Sequence, residues 1–195
     1  MTATLIRREE SVRWVPFAHV DKYDDDQVQW MADRHGILRP SGNDFMLHRV
    51  KPAEVAEDEG NLLTTVGLNR LTNLLIGGGA QALTNTSLRL GTGNGAGSAA
   101  VGDTDLGAAA GSANRWFQIM DATFPQQSNG VLTAKASWAT GDGNYAWNEW
   151  GMDVGTPTVT SSATVNALFF NHKTSAALGT KVSGVWALTV TVTIA

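Results

Sequence analysis

The chain contains no cysteine, so disulfide frameworks and thiolate metal sites are excluded, and a reducing compartment suits it. No stretch reaches the roughly 18 apolar residues of a membrane-spanning helix, and the start, with Arg7, Arg8, Glu9, Glu10 and Arg13, lacks the apolar run of a secretory signal. The expectation is a soluble product with no membrane contact. Basic charge is also short, since 14 Lys and Arg stand against 18 Asp and Glu for a formal net charge of -4. Without a basic stripe to neutralise phosphates, nucleic acid is not an expected partner.

Charge of either sign is scarce beyond Gly60. Residues 1–60 hold 20 of the 32 charged side chains, and the 135 residues that follow hold 12. A surface ordinarily needs charge to stay dispersed. A segment this poor in it is predicted to cover its exterior with neighbouring protein, which points to assembly rather than catalysis.

What is present divides at the same place. In residues 1–60 the large apolar side chains come singly between charges and turn formers, too sparse for a core of their own. This reads as an extended N-terminal arm whose aromatic residues bury themselves on the body or on another chain. One helix is expected there: Asp24, Asp25 and Asp26 supply cap and first-turn carboxylates, residues 27–34 follow, and Gly36 ends it. The run Pro40-Ser41-Gly42-Asn43-Asp44 reads as a turn between two extended pieces.

In residues 61–76 the spacing of Leu62, Leu63, Val66, Leu71, Leu74 and Leu75 predicts a helix, with Asn61 as N-cap and Gly77-Gly78-Gly79 as its end. Gly67 inside it costs about 1 kcal/mol against Ala and suggests a close backbone contact.

Beyond this the period becomes two. Trp186, Leu188, Val190, Val192 and Ile194 alternate with Ala187 and three threonines, the pattern of a half-buried strand. Residues 131–138 and 116–124 alternate similarly, and 87–91, 145–154 and 164–171 are further strand candidates. Turn-rich joints at 125–130, 140–144 and 155–162 complete the expectation of a mainly β chain, an antiparallel β-sandwich or jelly roll. The domain reading is thus an arm at 1–60 and a sandwich body at 61–195 led by the helix at 61–76.

Candidate chemistry is thin. The glycine run at 91–97 invites a phosphate-loop reading, but no Lys-Ser/Thr pair follows and the glycines lack the dinucleotide spacing; a surface loop over 91–111 is expected instead. Glu149 and Asp153 beside Trp147 and Trp150 would suit a sugar cleft with two carboxylates, against which stands a polar face or a buried, hydrogen-bonded Glu149. Asp142-Gly143-Asn144 and Asp103-Thr104-Asp105 place oxygen ligands at alternate positions as cation loops do, although turn-forming Asx residues are the commoner explanation. His19, His35, His48 and His172 show no ligand spacing. No catalytic residue, metal or cofactor is assigned. Seven tryptophans are many for this length, and Trp serves both cores and contacts. Trp14, Phe17, Tyr23, Trp30 and Phe45 of the arm, with Trp147 and Trp150, are the candidate protein-interaction anchors.

Four segments in order resemble virion structural proteins of tailed bacteriophages, the group of capsid decoration or cement proteins and fibre-like tail components. They are Gly60-Asn61-Leu62-Leu63 with Gly67-Leu68; Leu90-Gly91-Thr92-Gly93 followed by Thr104-Asp105-Leu106; Trp147-Asn148-Glu149-Trp150-Gly151; and Leu168-Phe169-Phe170-Asn171-His172-Lys173. Where similar proteins often carry an Arg after the Leu-Phe pair, this chain has Asn171-His172-Lys173. The resemblance spans residues 60–195 and implies a β-rich, oligomeric, non-enzymatic virion component. Combined with the charge pattern it leads to a protein on the capsid exterior, assembled in the host cytoplasm. Its expected partners are the major capsid protein and its own copies, as a homotrimer. A tail, collar or fibre protein is the first alternative, and a carbohydrate-binding module the second.

Overall fold

The computed structural model describes residues 14–77, 87–154 and 169–194. Two five-stranded antiparallel sheets face each other. The strands of the first are β1 (Trp14–Tyr23), β2 (Glu54–Glu59), β6 (Gln126–Ser128), β7 (Val131–Trp138) and β10 (Val185–Ile194), in the order β2-β1-β10-β7-β6. The second takes β3 (Leu62–Leu63), β4 (Leu88–Gly93), β5 (Arg115–Ile119), β8 (Glu149–Val154) and β9 (Phe169–Lys173), in the order β3-β9-β8-β4-β5. The main core lies between them: Ala134, Ala136, Leu188 and Val190 from the first sheet meet Leu90, Trp150, Met152 and Phe170 from the second. The chain is a β-sandwich.

Strand β10 follows its sequence pattern. Leu188 and Val190 are fully buried, while Thr189, Thr191 and Thr193 are half-buried on the other face. It is the spine of the first sheet, paired along its whole length with β1 and, from Trp186 to Thr193, with β7.

The described part of the expected arm is built into this sheet. Strand β1 pairs Trp14 with Ile194 through Tyr23 with Val185, and β2 pairs back on β1 from Phe17↔Glu59 to Lys22↔Glu54. The inward face of β1 is made of small or disguised residues, namely Pro16, Ala18, Val20 and the buried Lys22, so its period of two is faint. Once β10 supplies hydrogen bonds along the strand, little apolar bulk is needed. Lys22 stays buried because its Nζ bonds Glu54 and lies 4.5 Å from the centre of the Trp186 ring.

Between β1 and β2 the chain forms two helices over a small second core of Tyr23, Met31, Phe45 and Val185. Helix α1 (Asp25–His35) has Asp24 as N-cap in a capping box with Gln27, and Gly36 ends it at φ 68, as its carboxylates and glycine lead one to expect. The segment read as a turn at 40–44 is instead the start of helix α2 (Gly42–Leu47). Ser41 caps it and Asp44 returns the bond, a second capping box. Gly42 is required there: a Cβ would stand 2.5 Å from the Ala187 methyl and 3.1 Å from Lys135 Cε. Its N–H donates to Ser137 Oγ at 2.8 Å, fixing α2 to β7.

Helix α3 (Thr65–Leu75) begins later than its leucine spacing suggests, because Leu62 and Leu63 pair with β9 first and Thr64 becomes the N-cap. Gly67 meets the Phe170 carbonyl so closely that no side chain fits, which accounts for a helix-weakening residue. Gly77 follows at φ 68. Gly78, Gly79, residues 1–13 and the 155–168 turn and strand candidates lie outside the described residues.

Candidate functional site

The second sheet buries both of its faces. Its inner face joins the main core. On its outer face the register sets Gly91 opposite Gly151 and Gly93 opposite Glu149. The rings of Phe117 and Phe169 lie over the glycines, where a Cβ on Gly91 would stand 2.5 Å from Phe117 Cε1. The glycine run therefore starts as a central strand, and residues 94–114 then cross the face as a loop.

That loop closes on Glu149. The side chain is fully buried and accepts four hydrogen bonds. Oε1 takes the N–H groups of Ala108 at 2.7 Å and Gly95 at 3.2 Å; Oε2 takes that of Gly107 at 2.8 Å and faces His172 Nε2 at 2.9 Å. Glycine is needed at positions 93 and 95, because a Cβ on Gly95 would be 2.5 Å from Oε1 and on Gly93 2.9 Å from the Ala108 methyl. Glycine-rich amides do cradle an anion here, and the anion is the protein's own carboxylate.

His172, on β9, is also buried. Its Nδ1 faces Asp103 Oδ2 at 2.6 Å, and that oxygen accepts the Ala100 N–H at 2.8 Å. Burial by itself would raise the Glu149 pKa, but His172 and the amides of Gly107 and Ala108 outweigh it and hold it below the ordinary carboxylate range. Burial likewise would lower His172, and the flanking Glu149 and Asp103 carboxylates raise it above an ordinary histidine. The trio sets the His172 ring between two carboxylates, an arrangement that favours its doubly protonated form, and leaves no solvent-facing edge on Glu149 from which to act on a substrate.

The remaining outer-face charges are neutralised in the same way. Arg89 and Asp153 are cross-strand partners, both buried and joined through Nε at 3.0 Å. Arg115 Nη1 donates to Asp105 at 2.6 Å. Glu149 and Asp153, the two carboxylates considered for a sugar cleft, each face a cation of the protein. The two Asx pairs read as cation loops also meet protein cations. Asp103 meets His172 and Asp105 meets Arg115, while Asn144 Oδ1 accepts from the buried Lys181 Nζ at 2.7 Å. Among the described residues, no group of three or more His, Asp and Glu is arranged to hold a metal ion. His19 lies between Asp21 and Glu57 at the surface, and His35 stacks on His48 at 3.7 Å beside Trp30.

The anchor candidates separate. Trp147 and Trp150 are fully buried, and Tyr23 stacks on the equally hidden Phe45 at 3.9 Å. These four are core residues, which corrects their assignment as interaction anchors. Trp147 touches Trp138 and Trp186 edge to face, and Trp150 Nε1 donates to Asp58. Trp14 and Phe17 are half-buried. Trp30 is 42% exposed on α1, and Leu38 between the helices and Met46 and Leu47 on α2 are exposed as well.

The surface itself is the most informative feature. Of the 12 charged residues after Gly60, six are buried, six are half-buried and none is exposed, whereas Asp24, Asp25, Asp26, Asp33, Arg34, Arg39, Arg49, Lys51, Glu54, Glu57 and Glu59 are all exposed. Among the described residues the outward skin of the body is uncharged: Ala96, Gly97, Ser98, Ala100, Ala109 and Ala110 on the loop, Leu68 and Leu75 on α3, and Ile76 at its C-cap. Sequence alone counted the charges but could not place them. The Asp103–His172–Glu149 network was equally out of reach, since its members are separated by 69 and 23 positions. The glycine run was its one local signal.

No family model, curated protein or solved structure matches this chain.

Proposed function

We propose that this chain is a non-enzymatic virion structural protein of a tailed bacteriophage, a decoration or cement protein that binds the outer capsid lattice and clusters with its own copies. The observation that carries the reading is the uncharged exterior of the described residues after Gly60, where no charged side chain is exposed and several are held in internal ion pairs. Such a skin is poorly suited to free solution and well suited to contact with protein. The exposed charges of α1 with the exposed Trp30 supply a second and chemically different surface for the capsid partner. Two surfaces of unlike character suit a protein that touches both its copies and a lattice.

Quantitative mass spectrometry of purified particles tests this. Copies in proportion to the major capsid protein are expected. A few copies per particle would place the protein at a tail, collar or fibre instead, and none would remove the virion reading.

A further inference from the structure

The charge pair that closes the loop over the second sheet depends on a single ring being doubly protonated. Both nitrogens of His172 face carboxylate oxygens, Asp103 Oδ2 at 2.6 Å and Glu149 Oε2 at 2.9 Å. A neutral imidazole has one N–H and can satisfy only one of them. The other nitrogen then points a lone pair at an oxygen anion at hydrogen-bond distance, and the contact becomes repulsive.

We propose that the loop segment around residues 98–104 is a flap held shut by the His172 imidazolium and released when that ring loses a proton.

The side that gives way is fixed by the geometry. Glu149 is held by three backbone N–H groups inside a fully buried site. Asp103 is half-buried on the loop, and its Oδ2 also receives the Ala100 N–H. Loss of the proton therefore frees Asp103 and leaves Glu149 in place. The stretch that loosens is bounded by the Gly95 contact with Glu149 on one side and by the Asp105–Arg115 pair on the other. Within it, the Val101 carbonyl accepts the Thr65 N–H at 2.7 Å and the Ala99 N–H donates to Thr174 Oγ1 at 3.1 Å. The flap thus touches the first turn of α3, and its release uncovers that helix end.

The groups facing the ring from its surroundings are Glu149 on β8, Asp103 on the loop and the Phe169 ring on β9 at 5.3 Å between centroids. The next residue, Lys173, is engaged with Asp58 at 3.2 Å. The folded ring titrates above its ordinary value of 6.5. Its contribution is complete below that value and disappears as pH rises through the raised one. The flap is shut below the raised value and opens as pH rises through it.

The test is an NMR titration of the four histidine rings in the full-length chain, read together with the backbone amides of Ala99, Ala100 and Val101. His172 is expected to deprotonate above its ordinary value of 6.5, with the three amides shifting at the same midpoint. In Asp103→Asn, a substitution on the half-exposed side of the pair, that midpoint should fall by about one pH unit. His172→Gln should leave the flap amides in their high-pH state throughout; if that buried variant fails to fold, Asp103→Asn decides alone. A His172 ring that titrates at or below its ordinary value of 6.5 would overturn the proposal, as would flap amides that ignore its titration or a midpoint unmoved by Asp103→Asn. The outcome does not depend on where the protein acts.

Discussion

Gly91 and Gly151 stand opposite each other on adjacent central strands of the second sheet, and the rings of Phe117 and Phe169 fill the space their side chains would take. Glycine weakens a strand by itself; here it lets two aromatic rings lie against the sheet and seal its outer face. Gly91→Ala meets the Phe117 ring edge and the Leu106 Cδ1 methyl, side-chain atoms that can shift, whereas Gly151→Ala meets the Asn171 carbonyl as well as a ring. Both should lower stability by overpacking, by about 1 to 3 kcal/mol, with Gly151→Ala the worse. Urea unfolding of the two variants checks the order.

Glu149→Gln removes the charge that three amides and His172 converge upon. It also presents an NH₂ group where only acceptors fit, and leaves a buried imidazolium with one partner fewer. The expected loss is about 3 to 5 kcal/mol, measured by chemical denaturation.

The acid limb of the stability curve reports the same site from the other side. Because the folded Glu149 titrates below its ordinary value of 4.5, its contribution is present above that pH and is lost as pH falls through the lowered value. Stability measured against pH should decline over that acid range in the native chain. Part of this decline should be missing in Glu149→Gln.

Trp147→Ala separates an assembly protein from a sugar-binding one. The indole is fully buried, with Trp138 and Trp186 against it and its Nε1 donating to the Gly143 carbonyl at 2.9 Å. Truncation should cost about 3 to 5 kcal/mol, seen as a lowered melting temperature. A folded, stable variant that has lost affinity for a glycan would support the carbohydrate reading.

The exposed apolar residues make the opposite prediction. Leu75→Ser on α3, at an 85% exposed position, should change folding stability by no more than about 0.5 kcal/mol, while Trp30→Ser on α1 should cost about 1 to 2 kcal/mol, because the ring is more than half covered and meets His35 edge-on. Each should weaken association roughly tenfold, Trp30→Ser toward capsids and Leu75→Ser between copies. Calorimetry and a capsid co-sedimentation assay read the two effects separately.

What could be read from the sequence was what is local. The alternation of β10 and the Asp24 and Gly36 caps of α1 depend on neighbours within a few positions. Helix α2 carried its own signal, the Ser41 and Asp44 pair three residues apart, but Gly42 and Pro40 beside it resemble a turn. Its glycine answers to Ala187, far along the chain. Strand β1 was hidden because Ala18 and Val20 suffice on its inward face once β10 provides the pairing, and that partner lies at the opposite end of the sequence. The same holds for Glu149: a buried, hydrogen-bonded carboxylate was one of the readings open to it, yet the amides and the histidine that surround it come from three separate segments.

The central claim is that the uncharged exterior of the body exists to be covered by other copies of the chain. Sedimentation velocity of the full-length protein over a concentration series tests it most directly. The account predicts a discrete oligomer, a trimer being the expected species, that Leu75→Ser shifts toward monomer. A monomer at every concentration would contradict it.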